Sequence, residues 1–111
     1  MIVSDLVRLC GVSDLEPDSA RRVDVDGLRI AVVRIGDDWY AIADRCSHAD
    51  ESLSEGDVSA EEREIECPKH GSTFSLLDGE PQTLPATRAV PVYEVRVEGD
   101  DVMLVTPGVD A

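Results

Sequence analysis

The chain has 111 residues and carries 24 Asp and Glu against 10 Lys and Arg, a formal charge of −14. That length suits one domain, and an apolar fraction of 42% is enough for a modest core. Such an acidic surface repels phosphate backbones and anionic lipid headgroups, which excludes nucleic acid and membrane surfaces as natural partners and favours a basic protein partner.

The opening residues, MIVSDLVRLC, hold neither a basic leader nor an apolar run of signal-peptide length. No later stretch approaches the roughly 20 apolar residues of a membrane-spanning helix, so the expected location is the cytoplasm. From there the sequence alternates apolar and polar residues at period two, with β-branched residues concentrated where it does so, the pattern of half-buried strands. In chain order the expected strands cover residues 6–10, 21–25, 28–35, 39–43, 64–67, 92–97 and 102–105, and the expected class is all-β. Asp26-Gly27, Gly36-Asp37-Asp38 and Gly99-Asp100-Asp101 separate apolar runs and read as hairpin turns. Trp39 and Tyr40 follow one of these turns, and at least one of them is expected in the core.

Two segments break the pattern. Residues 44–56 and 68–85 are rich in Ser, Asp, Gly and Pro and read as loops, and loops beyond about 12 residues usually carry function. The intervening residues 59–66, with Glu61, Glu62, Arg63, Glu64 and Glu66, read as a solvated charged turn or a short helical segment.

The first loop contains Cys46-Ser47-His48, and the second opens with Cys67-Pro68-Lys69-His70. These pairs use both histidines of the chain and every cysteine except Cys10. An odd cysteine count argues for metal ligation or free thiols over a disulfide scaffold. Zinc fingers place like ligands together, whereas this chain alternates Cys with His, although a mononuclear zinc site remains the alternative because its preference for N and S donors overlaps. Cys10, remote in sequence from either pair, is expected to pack as a small hydrophobe. No third histidine exists to serve a nucleophile, so autonomous catalysis is not expected.

The pattern Cys-x-His, then Cys-x-x-His, resembles the Rieske proteins, in which two cysteines hold one iron of a [2Fe-2S] cluster and two histidines hold the other. The blocks around Cys46 to Gly56 and Cys67 to Phe74, together with Asp78-Gly79 and Pro85-Ala-Thr-Arg-Ala-Val-Pro91, look like those of small Rieske-type ferredoxins serving bacterial ring-hydroxylating dioxygenases. This resemblance implies the Rieske fold: three antiparallel sheets, with a basal sandwich or barrel and a small inserted cluster-binding subdomain. It implies a single domain over residues 1–111, with the basal part at about 1–43 and 86–111 and the cluster-binding part at about 44–85. Cys46 and Cys67 would bind the inner iron of one [2Fe-2S] cluster, and His48 and His70 the outer iron. Leu53 would shield the cluster, Gly71 would let the backbone approach it, Pro68 would stiffen the second loop, and Ser72 would donate a hydrogen bond to it. Phe74 stands where respiratory members have a tyrosine and donates nothing. Glu51 and Lys69 occupy the positions of the two extra cysteines of respiratory members, so no disulfide can form there, and an ion pair between them is expected instead. Asp44, Asp50, Glu51, Glu55 and Asp57 crowd the first loop, and negative charge opposes reduction. The expected potential therefore lies in the lower part of a family range of roughly −150 to +300 mV.

The function implied is that of a monomeric one-electron carrier, taking electrons from a flavin-dependent ferredoxin reductase and passing them to a terminal oxygenase docked at the His48 and His70 edge. An alternative resemblance, to actinobacterial Rieske proteins that accompany the SUF iron–sulfur assembly system, implies an accessory or redox-sensing module. A structural zinc-binding domain is the remote alternative.

Overall fold

A computed structural model describes residues 5–25, 27–45, 52–68, 71–82 and 88–106. Nine strands are found among them: β1 (Asp5–Gly11), β2 (Ser19–Val25), β3 (Leu28–Ile35), β4 (Asp38–Ala43), β5 (Val58–Ser59), β6 (Glu64–Glu66), β7 (Thr73–Ser75), β8 (Val92–Glu98) and β9 (Asp101–Thr106). Short 3-10 turns occur at Val12–Asp14 and Leu53–Glu55. No helix among the described residues is long and apolar enough to cross a membrane.

All pairings between these strands are antiparallel, as expected. One sheet has the order β1-β9-β8-β4-β3-β2 and a smaller one the order β5-β6-β7. The large sheet is two three-stranded ribbons joined at a narrow seam, where β4 meets β8 only through Ala41 with Tyr93 and Ile42 with Val92. The ribbons and the small sheet therefore make up the three sheets that the sequence implies. The hairpins close where expected, with Val25 opposite Leu28, Ile35 opposite Asp38 and Glu98 opposite Asp101.

Strand β3 organises the interior. Its alternate side chains face opposite ways, and both faces are covered. Ala31, Val33 and Ile35 join an apolar cluster with Ile42, Leu53, Ile65, Cys67 and Phe74. Ile30 and Val32 join a second, with Leu9, Cys10, Leu15, Val102 and Leu104. Tyr40 packs against the first cluster and Trp39 against the second. The Arg34 guanidinium donates to the carbonyls of Leu15 (2.7 Å), Gly36 (2.8 Å) and Val12 (3.2 Å) and lies 5.4 Å from the centroid of the Trp39 ring.

The charged segment 59–66 divides into the end of β5, a turn and β6. Arg63 ends that turn in the left-handed region, at φ 57°, a conformation uncommon for a residue with a side chain. It is held from both ends. Its carbonyl accepts the Leu76 N–H (2.8 Å), while its guanidinium reaches across to β4, 3.1 Å from the Asp38 carboxylate and 6.0 Å from the centroid of the Tyr40 ring. Arg63 thus fastens the small sheet to the large one. Replacing it with lysine keeps the charge but loses the planar group that reaches both the Asp38 carboxylate and the Tyr40 ring. Denaturant unfolding of Arg63→Lys is expected to show a loss of about 0.5–1 kcal/mol, and unchanged stability would mean that the ring contact contributes nothing.

Candidate metal centre

Strand β6 delivers Cys67. Ile65 pairs with Phe74 and Glu66 with Thr73, and the chain then leaves β6 and turns back into β7. The expected strand 64–67 therefore stops one residue early, at Glu66, because Cys67 is already part of the turn. That turn is closed by two backbone hydrogen bonds: the Cys67 N–H donates to the Ser72 carbonyl (2.6 Å), and the Gly71 N–H donates to the Cys67 carbonyl (3.0 Å). Gly71 takes φ +75°, where a side chain is strained, and an added Cβ would stand 3.4 Å from a Glu66 carboxylate oxygen. His70 falls within this turn in sequence, but outside the described residues.

The return arm of the first loop lies against the same place. The Glu66 N–H donates to the Asp57 carbonyl (2.9 Å), and a Cβ placed on Gly56 would overlap the Glu66 carbonyl oxygen. Only a glycine lets the two backbones approach so closely. The segment that follows Cys46 and His48 in sequence is thus in backbone contact with the residue that precedes Cys67.

Around this junction the interior is apolar. Cys67, Leu53 and Phe74 are completely buried and share one apolar cluster, and Ser72, whose carbonyl accepts the Cys67 N–H, is buried too. Pro68 and Gly71 are exposed. The second loop is not structureless, as its composition suggested, because it contains β7 and a bridge between Phe74 and Pro81. The first holds the 3-10 turn Leu53–Glu55. Cys46, His48, Glu51 and Lys69 lie outside the described residues, as does the expected ion pair between Glu51 and Lys69.

One residue differs from its expected surroundings. Asp44, counted from sequence among the acidic side chains crowding the loop, is completely buried. Its backbone N–H donates to the Arg29 carbonyl (2.9 Å), and one carboxylate oxygen accepts the Ser54 N–H (2.7 Å). Nothing in the sequence separates this aspartate from the exposed Glu55 and Asp57; its place two residues before Cys46 is the only signal that could have marked it.

Cys10 and Cys67 are both free thiols and belong to different clusters. Burial pushes the Cys10 thiol up from its ordinary range, which keeps it protonated and poorly reactive. Cys67 is otherwise placed, at the start of the 67–72 turn and in one cluster with Leu53. It offers a soft sulfur donor, the type that iron–sulfur clusters take, so this side of the site fits such a group.

Residues 5–94 match the Rieske [2Fe-2S] domain. The chain belongs to that family. As a Rieske domain it takes a [2Fe-2S] cluster, which displaces the zinc alternative. A 3-phenylpropionate/cinnamic acid dioxygenase ferredoxin subunit from Shigella boydii serotype 4 is 40% identical over 98 residues, spanning 88% of this chain and 91% of that protein. Among solved structures, the ferredoxin of carbazole 1,9a-dioxygenase from Nocardioides aromaticivorans IC177 superposes with a TM-score of 0.87 at 42% identity, covering 92% of this Rieske chain and 97% of that one. The ferredoxin fold also matches a complex of reduced oxygenase and oxidised ferredoxin in carbazole 1,9a-dioxygenase, with a TM-score of 0.84 at 36% identity over 96% of this chain.

Proposed function

We propose that this Rieske protein is the ferredoxin of an aromatic-ring oxygenase system, carrying single electrons from a flavin-dependent reductase to a terminal oxygenase. The observation that carries this reading is its whole-length correspondence with separate ferredoxin subunits, 91% and 97% of whose length it spans. Cys46, Cys67, His48 and His70 would hold the cluster, which supplies a one-electron couple when bound. The hydrogen bonds of the turn at 67–72 hold Cys67, and Leu53 and Phe74 pack in the same apolar cluster. In this reading the oxygenase docks at the edge carrying His48 and His70.

The acidic surface serves the encounter. A cleft of about 190 Å³ on the small sheet is lined by Asp57, Glu62, Glu64, Glu66 and Thr73, next to the strand that leads into Cys67. Its field attracts basic patches and raises the rate of encounter without committing the complex to a long life. A protein that must meet two partners in turn is best served by a small polar interface. In this reading the carrier works as a monomer of 12.0 kDa in the cytoplasm, where its thiols stay reduced.

The test is electron transfer from the reduced holoprotein to a purified ring-hydroxylating oxygenase, followed by the absorbance of the two centres. Transfer is expected to slow steeply as ionic strength rises. A rate indifferent to salt would separate docking from the acidic surface, and no transfer to any such oxygenase would defeat the proposal.

A further inference from the structure

Asp44 follows β4 directly and stands two residues before Cys46. Its Oδ1 accepts the Ser54 N–H at 2.7 Å, and Ser54 sits in the 3-10 turn Leu53–Glu55, on the return arm of the same loop. The carboxylate therefore ties Asp44 to Ser54, and both donors of the first pair, Cys46 and His48, fall between these two residues in sequence. The closure is anchored further. The Asp44 N–H is held by the Arg29 carbonyl of β3, and Leu53, at the other end of the loop, is completely buried.

The second carboxylate oxygen is buried and has no hydrogen-bond partner among the described residues. The nearest cation is Arg22, whose Nε stands 3.9 Å away, beyond hydrogen-bond range. That guanidinium is already engaged by Asp24 through two hydrogen bonds, of 2.9 and 3.1 Å. An under-compensated buried carboxylate is costly, while an asparagine would accept the Ser54 N–H but bury its amide N–H groups where the second oxygen stands, beside Arg22. The aspartate places a hydrogen-bond acceptor and a negative charge together two residues before Cys46.

We infer that Asp44 is a positioning residue for the metal centre, its carboxylate clasping the two ends of the loop that carries Cys46 and His48 while its charge disfavours the reduced state. The inference rests on those two residues being ligands, as proposed above. The two functions of the carboxylate are separable by substitution. Asp44→Asn keeps the acceptor and removes the charge, whereas Asp44→Ala removes both. Charge-assisted hydrogen bonds are the stronger kind, but a neutral amide oxygen still accepts from Ser54.

The experiment uses purified holoprotein and three readouts: iron and sulfide content, the rate of cluster loss to an iron chelator, and the midpoint potential. Wild type is expected to hold one cluster. Should wild type hold none, the ligand reading itself fails, and the failure is distinct from that of the clasp. Asp44→Ala is expected to release its cluster at least about 10-fold faster, the scale on which groups supporting metal ligands act. Asp44→Asn is expected to release it close to the wild-type rate and to show a more positive potential. Release from Asp44→Ala at the wild-type rate would overturn the clasp. So would equally rapid release from both variants, and an unchanged potential in Asp44→Asn would overturn the role of the charge. If Asp44→Ala does not fold, Asp44→Asn decides alone: a retained cluster at a raised potential supports the inference, and any other result overturns it.

Discussion

Replacing Cys67 with serine is expected to abolish normal cluster assembly, leaving a protein without the visible absorption of a [2Fe-2S] centre. In the proposed donor set the residue supplies one of two thiolates, and a serine hydroxyl is a far weaker ligand for iron at neutral pH. Its surroundings make the loss harder to repair. Cys67 is completely buried with Leu53, Ile65 and Phe74, so a serine would place a hydroxyl among apolar groups, at about 1–3 kcal/mol if left unpaired. Cys10→Ser is the control, since Cys10 is also buried, but in the other cluster. That variant should be somewhat less stable and yet contain a full complement of iron and sulfide. Equal iron content in both variants would show that the effect of Cys67→Ser is general destabilisation and not loss of a ligand.

Truncating Phe74 to alanine is expected to cost about 3–5 kcal/mol, the usual loss for a large aromatic in a close-packed core. Phe74 is the chain's one phenylalanine, it is completely buried, and it pairs across the small sheet with Ile65. Because small domains are stable by only about 5–15 kcal/mol, the change removes a large part of the margin. Its location gives it a second signature. The loss falls in the cluster that contains Cys67 and Leu53, so thermal bleaching of the visible spectrum should move down in temperature together with unfolding. Bleaching that stays at the wild-type temperature while the fold melts earlier would show that the metal site is held independently of this packing.

The long strands were legible because each repeats its period for several residues. Leu28–Ile35 was read to the residue, and the hairpin turns were marked by Gly27, Gly36 and Gly99, which all take positive φ. Strands β5 and β7 were not legible. With two and three residues, they are too short to show an alternation, and they sit in sequence dominated by Ser, Glu and Gly. Their pairing with β6 comes from the tertiary contacts of Ile65 and Phe74. For the site, the Cys and His spacing carried the reading, since soft donors at short intervals have few other uses. The supporting residues divided differently. Leu53 and Phe74, apolar residues beside ligand motifs, were foreseeable as buried, whereas Asp44 and Arg63 looked like any other charged residue in an acidic stretch. The burial of one and the backbone conformation of the other are set by what folds over them, which no local pattern encodes.

The doubly covered strand β3 has a thermodynamic consequence. Its residues are shared between the two apolar clusters, and each needs the strand in place to close. A subglobal opening that exposed one side would strip a wall from the other, so β3 couples the interior into one cooperative unit, in which the most protected amides should coincide with global unfolding. A carrier built this way has little slack between the two halves of its interior, and its body adds little reorganisation to the movement of the electron.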